Sequence, residues 1–350
     1  SCQSSGAVIL AAAYPLVMAG PRRARRSPER DEILLGENLA LLDRFVDGCF
    51  QLIYIDPPFN TGGERVRRTL QTVADPLGDR TGFQGRRYRT LQLGEASYED
   101  SFEDYLAFLE PRLRHARRLL AREGTLYVHL DCREAHYCKV ALDEIFGREC
   151  FLNEIVWAYD YGARAKRRWP AKHDTILVYV RDRRAYHFDS SAVDREPYMA
   201  PGLVSAEKAA RGKLPTDVWW HTIVPTSGRE KTGYPTQKPE GIVRRMVAAS
   251  SRPGDWCLDF FAGSGTLGAV ARELGRRYVL IDRNPEAVAI MRARLEGGEP
   301  VEGGGPVEGG GPVEGGGPGE SRGPVEGGER LERAGEGSPT LRAAGGGADV

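Results

Sequence analysis

The sequence has few of the residues from which metal centres and disulfide frameworks are built. Its six cysteines include no Cys-x-x-Cys pair, and its six histidines show no metal-ligand spacing. Cys49, Cys132 and Cys257 lie in or beside predicted strands, which indicates buried thiols in a reducing compartment. His129 lies within an apolar run and is interpreted as a satisfied core residue. We therefore predict no bound metal and a cytoplasmic location.

The sequence also lacks an apolar run long enough to cross a membrane. Ala7–Met18 is apolar, but a spanning helix needs about 20 such residues. The basic cluster at 22–26 follows this run rather than preceding it, which is the reverse of a signal peptide. We expect no membrane partner. Residues 1–30 are expected to be disordered and outside the fold, with Met18 as the candidate natural start.

Net charge is absent as well, since 49 basic residues balance 49 acidic ones. The balance is uneven along the chain, because Glu296–Val350 holds 11 acidic and 4 basic residues and therefore carries −7. The remainder carries +7, which fits a phosphate-backbone partner. The last segment repeats Pro-Val-Glu-Gly-Gly-Gly, and so much glycine cannot offset its ordering entropy by burial. We predict a disordered tail over 296–350.

One stretch carries a candidate reactive group. Leu52–Ile55 is short, apolar and rich in β-branched residues, which predicts a buried strand of a parallel sheet. The next residues are Asp56, Pro57, Pro58 and Phe59. Two prolines cannot extend a central strand, so the strand stops at Asp56, at the sheet edge where ligands bind. The carboxylate and the Pro57 carbonyl can accept hydrogen bonds from an amino group, while the Phe59 ring stacks on the planar group that carries it. The alternative is an acidic turn with a packed ring.

A second stretch predicts a strand, a glycine loop and the start of a helix. It runs from Trp256 to Thr266 and contains Gly263 and Gly265. Glycines let a backbone approach a ligand closely, and a helix N-terminus favours negative charge. About twenty residues later a second strand ends at Asp282, the usual distance of a carboxylate that binds ribose hydroxyls. The third glycine of a dinucleotide site is missing, so the spacing favours a single-nucleoside cofactor.

In this order the two motifs resemble those of the β group of S-adenosylmethionine-dependent DNA amino-methyltransferases, in which the target-base motif precedes the cofactor motif. The segment 234–239 (Tyr-Pro-Thr-Gln-Lys-Pro) resembles the one that precedes the cofactor strand in this family. Residues 147–157 resemble a third family segment. The resemblance covers roughly 33–295 and is specific as a set. Phe260 departs from it, because the family usually has proline there, and Ala262 stands where cysteine is common.

The resemblance implies an α/β, Rossmann-like methyltransferase fold: a mostly parallel twisted sheet with an antiparallel edge hairpin, circularly permuted. The methyltransferase domain would span 31–295, with a small target-recognition segment inserted at 182–230. The cofactor would be S-adenosyl-L-methionine. The implied cofactor-binding residues are Asp259, Phe260, Phe261, Gly263, Gly265, Thr266, Asp282, Thr236, Gln237 and Lys238, with Lys238 assigned to the cofactor's carboxylate.

Double-stranded DNA is the implied substrate, and a flipped-out adenine would be methylated on N6. Residues 60–97 have little apolar periodicity and are expected to be a mobile basic loop that closes over DNA; a disordered insertion is the alternative. A companion restriction endonuclease and a homodimer are further partners that the family allows. The candidate DNA-binding residues are Arg65, Arg67, Arg68, Arg86, Arg87, Lys166, Arg167 and Arg168.

Local patterns supply four further expectations. Apolar positions at helical spacing predict a helix over Tyr98–Arg122, and Asn38 is placed to cap the apolar stretch Leu39–Phe45. Asn38 and Glu37 are also candidates for contact with the cofactor's adenine ring. Glu154–Trp157 and Thr175–Val180 predict an antiparallel pair at the sheet edge.

Other activities remain open on the sequence alone. Cytosine N4 methylation uses the same chemistry, but such family members more often have serine in place of Asp56. Protein-glutamine and RNA methyltransferases usually have the cofactor motif first and asparagine at this position. A catalytically inactive DNA-binding relic of a restriction-modification system is the alternative of another class. Intact Asp56–Phe59 and the glycine pair Gly263 and Gly265 argue against the relic.

Overall fold

The apolar β-branched runs of the sequence form the strands of a central eight-stranded sheet. A computed structural model of the chain describes residues 24–59, 63–74, 80–81, 87–100, 104–160, 165–225 and 228–297; of the side chains between 60 and 103 it describes only those of Arg87 and Arg89. The strands are β1 Glu32–Leu35, β2 Phe50–Ile55, β3 Gly63–Ala74, β4 Arg80–Thr81, β5 Arg87–Asp100, β6 Leu120–Leu130, β7 Phe151–Ala158, β8 His173–Val180, β9 Val218–Trp220, β10 Trp256–Asp259 and β11 Arg277–Asp282. The helices are α1 Asn38–Leu42, α2 Tyr105–Leu119, α3 Ala135–Phe146, α4 Ala206–Arg211, α5 Glu240–Ser250, α6 Thr266–Glu273 and α7 Pro285–Glu296.

The order across the central sheet is β1-β11-β10-β2-β6-β8-β7-β9. The first five strands are parallel neighbours. Strand β8 runs against β6 and β7, and β9 is parallel to β7. The expected mostly parallel sheet with an antiparallel hairpin is therefore confirmed, although the short strand β9 covers the hairpin's outer side.

Helices cover both faces of this sheet, which explains why its strands are apolar on both sides. One buried cluster contains side chains of α1, α2 and α3, among them Leu41, Leu109 and Leu142. The other contains side chains of α5, α6 and α7, among them Val247 and Leu267. The result is a three-layer α/β fold with loops at the carboxyl ends of the parallel strands. None of the described helices is both long and apolar enough to span a bilayer.

Where the structure describes residues 60–97, they form strands rather than the loop expected from the sequence. Strands β3, β4 and β5 form a separate antiparallel sheet in the order β3-β5-β4, with a register shift between Thr69 and Leu70. The run Arg65–Val73 contains two Thr and two Val, residues that are enriched in strands. The apolar alternation is weak, so the pattern predicted a loop.

Two other local predictions were wrong. The helix predicted over Tyr98–Arg122 is shorter: Asp104 caps it by accepting from the Ala107 N–H at 2.9 Å, and β6 begins at Leu120. Residues 24–30 belong to the fold rather than preceding it. The backbone of Arg26 pairs with the α1–β2 connection, donating to Arg44 O at 2.8 Å and accepting from Val46 N at 3.1 Å, and its side chain pairs with Glu32.

Candidate active site

Three carboxylates meet at one edge of the sheet. Asp56 follows β2, Asp259 ends β10, and Asp282 ends β11. These strands are parallel neighbours, with β10 between the other two, so their carboxyl ends lie side by side. A cavity of about 260 Å³ opens between the loops at this edge. The site thus lies where ligands bind in open α/β sheets.

Both sequence motifs contribute to the wall of this cavity. The lining residues are Glu37, Asn38, Tyr54, Asp56, Pro57, Pro58, Phe59, Phe108, Arg112, Tyr234, Thr236, Lys238, Asp259, Phe260, Phe261, Ala262, Gly263, Ser264, Thr266, Asp282, Arg283 and Asn284. Of the predicted catalytic and cofactor residues, only Gln237 and Gly265 are absent from this wall. Among the described residues there is no cluster of three or more His, Cys, Asp and Glu side chains suited to a metal.

The Asp56 carboxylate has one occupied and one free oxygen. Oδ2 forms an ion pair with the Lys238 ammonium, and both side chains are mostly buried. Oδ1 is buried and has no hydrogen-bond partner among the described residues. Because an unpaired buried acceptor costs about 1–3 kcal/mol, a ligand that donates a hydrogen bond to this oxygen would be stabilised. An exocyclic amino group is such a donor.

Lys238 also lies against the aromatic ring of the motif. Its Nζ is 4.8 Å from the centre of the Phe59 ring. The family resemblance implies a cofactor carboxylate as the partner of this lysine, and its contact with Asp56 is not apparent from the sequence. The two residues are 182 positions apart, so only the folded chain brings them together. Lys238 therefore lies between the target-base motif and the cofactor loop.

The other two carboxylates, those of Asp259 and Asp282, are held by backbone N–H groups. Asp282 accepts from Gly263 N at 2.9 Å and from Asn284 N at 2.8 Å. Asp259 accepts from Phe261 N at 2.9 Å. Burial nevertheless raises the pKa of both carboxyls, that of Asp259 strongly, because their ionised forms lose hydration. Hydroxyl donors from a ligand would stabilise the ionised forms.

The two glycines of the loop have different structural roles. Both have positive φ, +50° at Gly263 and +73° at Gly265, a region that favours glycine. A Cβ on Gly263 would lie 3.1 Å from the ring of Tyr234, on the cavity wall. A Cβ on Gly265 would lie 2.8 Å from Met291 Cγ, in the core under α7. Gly265 thus permits helix packing, and Gly263 borders the ligand space.

Three further predicted cofactor residues have protein partners. Gln237 accepts from the backbone and hydroxyl of Thr232 and donates to Glu230 O at 2.6 Å, so it shapes its own loop. The Phe260 side chain is buried in the core beneath the loop. Thr266, at the start of α6, donates to Lys238 O at 3.1 Å and ties the lysine segment to the cofactor loop.

One buried arginine in the cavity wall belongs to neither sequence motif. Arg112, on α2, donates from Nε to Asn38 Oδ1 at 2.8 Å and ion-pairs with Glu37. Its guanidinium lies 3.9 Å from the centre of the Phe108 ring. Asn38 does not cap α1 as expected, since its amide donates to Phe260 O at 2.9 Å. A basic residue on the apolar face of a predicted helix was the signal that could have found Arg112.

The candidate DNA-binding residues lie in two regions. Lys166, Arg167 and Arg168 are exposed in the β7–β8 connection, which begins at the edge that carries Asp56 because β7 is parallel to β6. Arg65, Arg67 and Arg68 lie on β3 and Arg87 on β5; of these only the Arg87 side chain is described, and it is exposed. Arg86 lies outside the described residues.

The fold, the aspartate-proline turn and the glycine loop are those of a methyltransferase. Comparison with known proteins shows the family to which the chain belongs. The chain belongs to the N6/N4 methyltransferase family of DNA methylases, whose family model matches residues 50–293. It is 30% identical over 285 residues to DNA adenine methyltransferase YhdJ of Escherichia coli K12, covering 79% of this chain and 86% of the relative. It is 29% identical over 269 residues to the type II methyltransferase M.HpaI of Haemophilus parainfluenzae, covering 76% and 74%.

A solved structure also matches. The PvuII cytosine-N4-specific DNA methyltransferase superimposes with a TM-score of 0.54 over 77% of this chain and 87% of its own, at 14% sequence identity. This likeness confirms the fold.

Proposed function

We propose that this protein is a site-specific DNA methyltransferase that transfers a methyl group from S-adenosylmethionine to N6 of a flipped-out adenine in duplex DNA. The observation that carries the proposal is the free, buried Oδ1 of Asp56 beside the Phe59 ring. A base within a duplex cannot enter a cavity of this kind, so the target nucleotide must leave the stack.

The residues divide the task between two sides of one cavity. The Asp56 carboxylate and the Pro57 carbonyl accept hydrogen bonds from the two N–H groups of the amino group, which makes its nitrogen a better nucleophile; the nitrogen keeps one hydrogen and loses the other as a proton once it carries the methyl group. Phe59 stacks on the base plane. S-adenosylmethionine, when bound, supplies an electrophilic methyl group. Holding both reactants in one cleft supplies positioning, which can contribute several kcal/mol to the rate.

The cofactor side fits this ligand in chemical terms. Asp282 and Asp259 are carboxylates that burial destabilises, and ribose hydroxyls or an ammonium group are donors that would relieve them. Gly263 leaves open the space that a Cβ would occupy. Glu37, Asn38 and Phe108 line the part of the cavity nearest Arg112 and are suited to a planar, nitrogen-rich ring.

Two observations favour adenine over cytosine N4. Residue 56 is aspartate, whereas N4 members of the family more often have serine. A curated relative that matches most of this chain is named an adenine methyltransferase.

The aspartate motif precedes the glycine loop along the chain, so we assign the protein to the permuted β group. We further propose 182–230 as the target-recognition segment, and a homodimer or a companion endonuclease as partners suggested by family resemblance.

The proposal is tested by incubating the purified chain with S-adenosylmethionine and mixed-sequence duplex DNA, followed by mass spectrometry of the nucleosides. N6-methyldeoxyadenosine is the expected product. N4-methyldeoxycytidine would retain the mechanism and change the base. The absence of both products with cofactor binding intact would contradict the proposal and point to an RNA or protein substrate, whereas weak cofactor binding in calorimetry would favour the inactive relic.

The affinity for S-adenosylmethionine should fall as pH falls from 7 to 5. Burial raises the pKa of Asp282, so protonation begins above the ordinary carboxyl range, and the protonated form cannot accept from two ribose hydroxyls. The cofactor stabilises the ionised form of Asp282, so the Kd of the cofactor should rise as the pH falls. Below the pKa of Asp282 this rise should approach about tenfold for each pH unit. The cofactor's own amino and carboxyl groups keep their charges in this window.

Calorimetry of three proteins across this pH range provides the check. Asp282→Asn should bind more weakly at pH 7 and show a flatter pH profile. Asp255→Asn is the matched control, because Asp255 precedes β10 at the opposite end of the sheet and accepts from Arg252 N. An unchanged slope in Asp282→Asn would remove Asp282 from the cofactor site.

A further inference from the structure

A buried polar chain lies behind the target-base motif. His129, on β6, is fully buried; its Nδ1 is 3.0 Å from Tyr54 Oη and its Nε2 is 3.2 Å from Asp174 Oδ2. The other oxygen of Asp174 accepts from Tyr159 Oη at 3.0 Å. The apolar run around His129 predicts a satisfied core residue, and the proposed reaction does not use its imidazole.

One arrangement of hydrogens satisfies every member of this chain. Tyr54 donates to Nδ1, Nε2–H donates to Asp174 Oδ2, and Tyr159 donates to Oδ1; the hydrogens are assigned from the donors and acceptors available. Burial alone would raise the pKa of Asp174, but the bonds from His129 and Tyr159 and the charge of Lys238 hold it below its ordinary value. Asp174 therefore serves as a fixed acceptor that orients the imidazole.

The oriented imidazole contacts two side chains of the reactive cavity. Its ring centre is 6.1 Å from that of Phe59 and 6.3 Å from that of Tyr54. Trp157 packs edge-on against the same ring at 5.4 Å, so His129 has little freedom to turn. Phe59 and Tyr54 both line the cavity, whereas His129 lies one layer behind them.

A polar chain at this depth is costly when apolar packing would fill the same volume. The surrounding cluster is otherwise built from Ile, Val, Leu and aromatic side chains. At the end away from the cavity the chain includes the half-buried Tyr159, whose backbone N–H donates to Lys172 O at 2.9 Å, where the basic β7–β8 connection meets the sheet. It therefore joins the base-stacking ring to the segment carrying Lys166, Arg167 and Arg168.

We propose that His129, oriented by Asp174, is a positioning residue that fixes the Phe59 ring and the Tyr54 side chain against the flipped base. This inference rests on the proposed function, since it assigns Phe59 to base stacking. His129 acts through Phe59 and takes no proton from the substrate. Its loss should loosen the base relative to the methyl donor and leave cofactor binding intact.

The test compares His129→Gln with Tyr127→Phe. Tyr127 is the matched control: it lies on the same strand two residues earlier, is equally buried, and loses one comparable bond, that to Ser250 Oγ at 2.7 Å. Tyr127 does not line the reactive cavity. Single-turnover methylation at saturating S-adenosylmethionine and DNA is measured beside cofactor affinity and thermal stability.

For His129→Gln we expect methyl transfer about tenfold slower than in wild type, with cofactor Kd within about twofold, whereas Tyr127→Phe should transfer at the wild-type rate. Equal rates in the two variants would overturn the positioning role while leaving the proposed function standing. A parallel loss of cofactor affinity in His129→Gln would overturn it as well, because the defect would then be general. If wild type modifies neither adenine nor cytosine, the proposed function fails and the inference fails with it.

Asp174→Asn keeps the volume of the side chain and serves if His129→Gln does not fold. The amide places an N–H donor where a carboxylate oxygen accepted, so one of the bonds from His129 and Tyr159 is lost. Slower transfer with unchanged cofactor affinity is the supporting result. A wild-type rate in Asp174→Asn would contradict the orienting role of the carboxylate.

Discussion

Asp56→Ala should slow methyl transfer by about 10³-fold, the cost of removing a preorganised group that acts on the reacting atoms. The substitution removes the acceptor that draws the amino hydrogens away from the nucleophilic nitrogen. It also removes the partner of the Lys238 ammonium, which then lies beside the base with its charge uncompensated. Single-turnover kinetics at saturating cofactor and DNA provide the measurement, and cofactor Kd should change by less than about threefold.

Asp47→Ala is the matched control for this variant. Asp47 stands before β2, at the opposite end of the strand that presents Asp56, and pairs with Arg118 at 2.7 Å and Arg25 at 3.1 Å. It is 64% exposed, so the loss should cost no more than about 1 kcal/mol of stability and nothing in rate. Asp56→Ala with a rate near that of Asp47→Ala would remove the carboxylate from the mechanism.

Asp56 could be predicted because its position depends on neighbours in sequence. An apolar run predicts the strand, and the two prolines end it. Asp56, which lies between the run and the prolines, must therefore lie at the edge of the sheet. The same reasoning placed Asp259, Asp282 and the glycine loop at that edge. Strand order alone then brings them together, since β2, β10 and β11 are neighbours.

The contacts that complete the site could not be predicted in this way. Arg112 with Asn38, Lys238 with Asp56, and His129 with Asp174 join residues 45 to 182 positions apart. A propensity or a motif describes one segment, whereas these pairs depend on which elements pack together. The strands β3 and β5 were not predicted for a related reason. They pair with each other through their backbones, and the apolar alternation that identifies half-buried strands is weak in their sequences.

The motif pairs Gly263 with Gly265, but the structure gives the two glycines different surroundings. The sequence suggested that both glycines allow a ligand to approach, but only Gly263 borders the cavity. Alanine at either site is strained by about 1–2 kcal/mol, because both residues have positive φ. The added Cβ meets the pocket ring Tyr234 in one case and the core residue Met291 in the other. The same substitution at the two glycines therefore distinguishes an effect on cofactor binding from an effect on stability.

Gly265→Ala should lower the free energy of unfolding by about 2–5 kcal/mol, since overpacking against Met291 adds to the backbone strain. The folded fraction should bind S-adenosylmethionine within about threefold of wild type. Gly263→Ala should lose only the strain, about 1–2 kcal/mol, but bind cofactor at least tenfold more weakly because Tyr234 is displaced into the pocket. Denaturant titrations and calorimetry measure both quantities. Weaker binding with unchanged stability in Gly265→Ala would place that glycine on the cofactor, as the sequence motif first implied.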